Sequence, residues 1–128
     1  MTAARQELGR QAERLVAARL QGDGWRIVAR NVRVAGLRGE LDLIALDGSA
    51  LVFVEVKARR AGSLAGPERP ALAVVHRKRL KIRGLAAAWL RERGYDVPRH
   101  RDLRFDVIGL RLDGAGRLVE WEHIRAAF

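Results

Sequence analysis

Residues Gly39–Arg59 read GELDLIALDGSALVFVEVKAR. Two strongly apolar runs, LDLIAL and LVFVEV, flank a DGSA segment, the pattern of a buried β-hairpin. Yet Asp42, Glu55 and Lys57 place charges inside or at the ends of those runs. Side chains alternate faces along a strand, so Glu55 and Lys57 share one face with Leu51 and Phe53. The place of Asp42 depends on the turn. A loop of only Asp47-Gly48 sets Glu40 opposite Glu55, with Asp42 diagonal to it. A four-residue DGSA loop sets Asp42 directly opposite Glu55. Either register puts Asp42, Glu55 and Lys57 on one face, whereas a three-residue loop without a bulge does not.

Two carboxylates opposed on a half-buried sheet have Cβ atoms about 4.5–5.5 Å apart and repel each other. One remedy is local: Lys57 pairs with Glu55 and a nearby Arg takes Asp42, a purely structural network. The other is a divalent cation, since Mg²⁺ favours a few carboxylate oxygens completed by water and phosphate oxygens. Such an ion polarises a phosphodiester and lowers the pKa of a bound water, while an adjacent ammonium orients that water and offsets developing negative charge. The chain carries no P-loop, no Ser/His/Asp set and no cysteine nucleophile, which leaves metal chemistry or none.

The 128 residues, 48% hydrophobic and 31% charged, suit one compact domain spanning 1–128. Lys and Arg number 25 against 15 acids, a formal charge of +10, with a sequence pI near 11.5. That field attracts polyanions: nucleic acid first, then an acidic membrane surface or a ribosome. The bland alternative is that genomic base content enriched the chain in Arg. The absence of cysteine excludes disulfides and thiolate chemistry. His76, His100 and His123 show no ligand spacing. The N-terminal MTAARQELGRQAERL lacks the apolar core of a secretory signal. No apolar run approaches the ~18 residues of a membrane span, so a cytoplasmic location without membrane is the default expectation.

Around the hairpin, Leu8, Ala12, Leu15, Val16 and Leu20 recur at helical spacing and predict a helix from about Ala3 to Gln21, stopped by Gly22–Gly24. Glu13 falls on the edge of its apolar arc, where a carboxylate faces either a cleft or water, and the helix alone favours water. Trp25–Val34 reads as a first strand. Ala58–Pro70, rich in Gly, Pro and Arg, reads as a basic loop and a candidate DNA-facing lid. A second helix is predicted over about His76–Arg93, with Ile82, Ala86, Trp89 and Leu90 in one stripe, a densely basic first turn and Gly94 as its end. Leu103–Leu112 and Leu118–Ile124 read as strands around DGAG. The order α-β-β-β-α-β-β is an α/β (α+β) domain with helices on a mixed sheet of about five strands. Trp25, Trp89 and Trp121 read as core, Asp106 as a structural partner of Arg104 or another Arg, and Glu40 as a turn residue or one just outside a metal's ligands.

These motifs, taken together, resemble a known family. The helix with Gly9 and Glu13, RNVR at Arg30–Arg33, GELDLIA at Gly39–Ala45, FVEVKAR at Phe53–Arg59, Lys78 in a basic helix start and RFDVI at Arg104–Ile108 resemble, in order and over nearly the whole chain, the YraN-like family of uncharacterised bacterial proteins. That family is similar in turn to the PD-(D/E)XK nuclease superfamily, and within it to archaeal Holliday-junction resolvases. The resemblance implies a restriction-endonuclease-like core. It also implies an acid on the first helix, an acid at a strand start and E-x-K on the next strand, which fall on Glu13, Asp42, Glu55 and Lys57. The chain departs at Ala12, where the family has Gly, and at Val75, where it has a polar helix start.

The expected function is a metal-dependent nuclease-like protein hydrolysing phosphodiester bonds in DNA, with branched or Holliday-junction-like DNA among the implied substrates. One or two Mg²⁺ (or Mn²⁺) ions would be held by Asp42, Glu55 and the Val56 carbonyl. Lys57 would orient the water, and Glu13 would be an outer or second-metal ligand. Arg30, Arg33, Arg38, Arg59, Arg77, Lys78 and Arg79 would contact phosphates. By analogy with resolvases a two-fold homodimer is implied. The alternative is a catalytically inactive nucleic-acid-binding or assembly protein with the same fold and basic face. DNA is favoured over RNA by the resemblance alone.

Overall fold

The computed structural model describes residues 3–63 and 69–128, with Leu72 through its backbone only. The chain runs α1 (Ala3–Gly22), β1 (Arg26–Val32), β2 (Leu41–Asp47), β3 (Ala50–Arg60), a 3₁₀ turn at Pro70–Ala73, α2 (His76–Arg93), β4 (Asp102–Leu112) and β5 (Leu118–Ile124). The strands form one open five-stranded sheet in the order β1-β2-β3-β4-β5. Only β3 and β4 pair in parallel, from Ala50↔Asp102 to Arg60↔Leu112. Such a pair needs a crossover, which α2 supplies. The mixed α/β class and element order expected from the sequence are observed. The central residues of the expected basic loop, 64–68, lie outside the described residues.

The hairpin turn differs from both expected loops. Asp47 pairs with Ala50, so the turn is Gly48-Ser49, with Gly48 at φ 58. A positive φ at the first central position suits the twist of a two-residue hairpin and favours glycine there. The register is the one that the four-residue reading required, because Leu43 pairs with Val54 and continuing the count sets Asp42 against Glu55.

Each face of the sheet has its own core. On one, Ala12, Val16 and Leu20 of α1 pack on Leu43, Val52, Val54, Ile108 and Leu110. On the other, Ile82, Leu85, Ala86 and Trp89 of α2 pack on Ile44, Leu51, Phe53 and Val107. Trp25 and Trp89 are core residues, as expected. Trp121 is half-buried against the α1 layer, beneath the Arg19 guanidinium. No helix among the described residues is long and apolar enough to cross a membrane.

Asp106 is fully buried yet fully partnered. It accepts hydrogen bonds from Arg104 at 2.9 and 3.0 Å, pairs with His123 Nε2 at 2.8 Å and accepts the Ala126 N–H at 3.0 Å. Burial alone would raise its pKa, but these bonds and the Arg104 charge outweigh it and hold the carboxyl below its ordinary value. RFDVI therefore anchors the C-terminal segment to the sheet, with Phe128 stacked on Phe105.

The crossover lies close on the sheet at Gly109. A Cβ there would stand 2.4 Å from the Ala71 backbone nitrogen and 3.0 Å from its Cα. Backbone cannot rotate away as a side-chain tip can, so Gly109→Ala must push the 3₁₀ turn off β4. The expected cost is about 1–3 kcal/mol, measurable as a lower urea midpoint with an unchanged slope; an unchanged midpoint would contradict the tight crossover.

Candidate functional site

Antiparallel pairing between β2 and β3 stops at Leu43↔Val54. The preceding residue, Asp42, turns its carboxylate into the opening, and Oδ2 accepts the Val56 N–H at 2.9 Å. A side chain thus takes over where the backbone ladder ends. The mouth it leaves is a cleft of about 430 Å³ lined by Glu13, Glu40, Asp42, Glu55, Lys57 and Lys78 among others.

After burial, the charge of Glu55 is the largest influence that raises the Asp42 pKa, so the two carboxyl groups stand close enough to repel each other. Glu55 is 4% exposed, and its Oε1 lies 3.6 Å from Lys57 Nζ and 3.8 Å from Lys78 Nζ. The first turn of α2 carries no acid, and its N-cap, Val75, makes no side-chain cap. Cations at that end oppose the helix dipole, so the position of Lys78 is explained by Glu55 rather than by helix stability.

Glu13 enters from α1. One oxygen each from Glu13, Glu40 and Asp42 lie within 4.8 Å of one another. Burial first, then the charges of Asp42 and Glu40, push the Glu13 pKa up to about 7 against the pull of Arg10 and a hydrogen bond from Asn31. Burial and then Glu55 push Asp42 up to about 8, although the Val56 N–H and Lys78 favour its charged form. Repulsion and desolvation outweigh the surrounding cations at both acids.

The donor chemistry fits a hard divalent cation. Converging carboxylates offer oxygen ligands only, the set that Mg²⁺ and Mn²⁺ favour. The Asn31 side-chain oxygen is buried and has no hydrogen-bond partner among the described residues. Asn31 also holds a left-handed backbone, φ 50, a conformation that Asn tolerates better than most residues. A buried acceptor without a donor is costly.

The structure thus brings Glu13, Asp42, Glu55 and Lys57 together around one cleft, with Val56 in its wall. Glu13 is half-buried and faces the acids, not the water that its place on the helix favoured. Glu40, read from the sequence as a turn or peripheral residue, stands among the clustered acids and also pairs with Arg33 at 3.6 Å. Of the seven cations expected at phosphates, Arg33 and Lys78 line the cleft. Arg30, Arg38 and Arg77 are exposed outside its lining. Arg79 donates to the Val74 carbonyl at 3.0 Å and caps the Phe128 ring. Arg59 is half-buried, and its Nε is buried without a partner. Sequence reasoning missed Arg5, Arg10 and Asn31. Asn31 sits within the RNVR motif, and Arg10 precedes Glu13 by nearly one turn of the same helix.

A family model described as "Uncharacterised protein family UPF0102" matches residues 12–110. A UPF0102 protein of Chlorobium chlorochromatii is 44% identical over 129 residues, covering 95% of this chain and 91% of the relative. One of Moorella thermoacetica is 38% identical over the full length of both chains. One of Rhodococcus jostii is 45% identical over 121 residues, 94% of this chain and 95% of the relative. The matched span reaches from the turn of α1 that carries Glu13 through RFDVI, and on this similarity the chain belongs to the UPF0102 (YraN-like) family.

Proposed function

We propose that this protein is a metal-dependent nuclease that hydrolyses phosphodiester bonds in DNA. The observation that carries the proposal is the convergence of Glu13, Glu40 and Asp42 oxygens within 4.8 Å at a cleft walled by Lys57 and Lys78. Asp42, with Glu13, Glu40 or Glu55, would hold a divalent cation, and the Val56 carbonyl in the cleft wall would be a neutral donor. When bound, Mg²⁺ or Mn²⁺ would polarise the phosphodiester and lower the pKa of a water. Lys57, held by Glu55 at 3.6 Å, would position the attacking water and offset negative charge gathering on phosphate oxygens. Arg33 and Lys78 would hold the flanking phosphates, which gives affinity without sequence choice.

A second reading, a DNA-binding protein without turnover, draws on the pairing of Glu55 with Lys57 and Lys78. That pairing neutralises Glu55 with no ion present.

Labelled four-way junctions and matched duplexes, incubated with Mg²⁺ or Mn²⁺, separate the two readings. Wild type is expected to cleave, and Asp42→Asn or Lys57→Ala to lose at least ~100-fold in rate, an order typical of removing one transition-state stabiliser, while still binding. Tight binding with no metal-dependent product from wild type would favour the second reading.

Acid repulsion also has a stability signature. Carboxyls whose folded pKa exceeds the unfolded value stabilise the fold while protonated, and that contribution is lost as pH rises through the folded pKa. For Glu13 and Asp42 the window runs from their ordinary values of 4.5 and 3.8 up to about 7 and 8. Metal-free Asp42→Asn should therefore be more stable than wild type at pH 8, by about 1–3 kcal/mol, with the gap closing towards pH 4. Equal melting temperatures at pH 8 would contradict the crowding. Mn²⁺ should raise the melting temperature of wild type more at pH 8 than at pH 5.5, because protons compete for the same oxygens, and should barely move Asp42→Asn.

A further inference from the structure

Gly9 lies in the middle of the first half of α1, and glycine inside a helix is less stable than alanine. Among the described residues no packing contact accounts for it. Among the described residues a Cβ built on Gly9 meets nothing within 4 Å, and its φ is not in the left-handed range. No described neighbour needs the space and no backbone strain needs the freedom. The residue is nonetheless half-buried and lines the acidic cleft together with Arg5, Gln6, Arg10 and Glu13 of the same helix. Arg5, Gly9 and Glu13 follow one another at i, i+4 and i+8, a single stripe along the helix. Gly9 and Glu13 are about 6 Å apart along the axis, at 1.5 Å per residue.

We propose that the stripe Arg5–Gly9–Glu13 is the seat of the DNA strand, with the sugar–phosphate backbone lying against α1 in the space that a side chain at position 9 would occupy. This deepens the nuclease reading and rests on it. Arg5 and Arg10 flank the bare patch with guanidinium groups suited to phosphate oxygens, and a strand passing over Gly9 continues within one helical turn to the acids. Glycine is used in the same way wherever backbone must approach a ligand closely. The seat places the nucleic acid on α1, an element to which the sequence assigned no phosphate contact.

The test uses full-length protein, a fluorescein-labelled four-way DNA junction and EDTA to prevent turnover, with anisotropy as the readout. Gly84 of α2 is the control: it too is helical with nothing within 4 Å of a Cβ, but it does not line the cleft. Both Gly9→Ala and Gly84→Ala should raise the melting temperature by about 2–5 °C, as expected for removing a helical glycine. Gly9→Ala should weaken junction binding about fivefold or more and Gly9→Leu further, while Gly84→Ala binds as wild type. Wild-type affinity in both Gly9 variants would overturn the strand seat and leave the nuclease reading standing. Equal weakening in Gly84→Ala would also overturn it. Wild type that binds neither junction nor duplex would overturn the nuclease reading and the seat together.

Discussion

Carboxylates crowded at the point where β2 and β3 part are the constraint around which the rest of the molecule is arranged. The β-ladder ends at Leu43↔Val54, and Asp42 fills the gap by taking the Val56 N–H. Glu55 stands against it, Glu13 comes from α1 and Glu40 from the approach to β2. Nothing in folding requires such crowding. Replacing buried charges with apolar groups of similar shape is commonly neutral or stabilising, so an arrangement that raises two acids towards pKa values of about 7 and 8 is one that the proposed cation would relieve.

The contrast with Asp106 sharpens this point. Both acids sit in the sheet, and both lose hydration. Asp106 receives Arg104, His123 and a backbone N–H, and its pKa falls below the ordinary value. Asp42 receives one backbone N–H, and burial together with the facing charge of Glu55 raises its pKa. The same residue type is a structural anchor at one site and a crowded, uncompensated carboxyl at the other. Other local choices around the cleft also run against stability: a left-handed Asn31, a basic start to α2 and a bare helical glycine. Such departures from local preference gather at functional sites.

Much of this was legible in the sequence. Period-two alternation marked both strands of the hairpin, and helical spacing marked both helices almost to the residue. The register was legible only as a choice, and the turn was neither expected loop, because pairing at Asp47↔Ala50, rather than composition, decides which two residues close it. The meeting of Glu55 and Lys57 followed from alternation alone. Glu13 was only half legible: a helical wheel gives an angle, not what stands opposite. Glu40 was passed over, although it lies two residues before Asp42 and one candidate register paired it with Glu55. The basic residues were the least legible. Charge counting cannot separate Lys78, drawn into the cleft by Glu55, from Arg79, drawn to the Val74 carbonyl and the Phe128 ring.

The central claim is that these acids are held together for a cation. Crystals equilibrated with Mn²⁺ near pH 8, with data collected at the manganese edge, test it most directly. The account predicts an anomalous peak coordinated by Asp42 and at least one of Glu13, Glu40 and Glu55. A map without such a peak at millimolar Mn²⁺, with Lys57 and Lys78 still on Glu55, would contradict it.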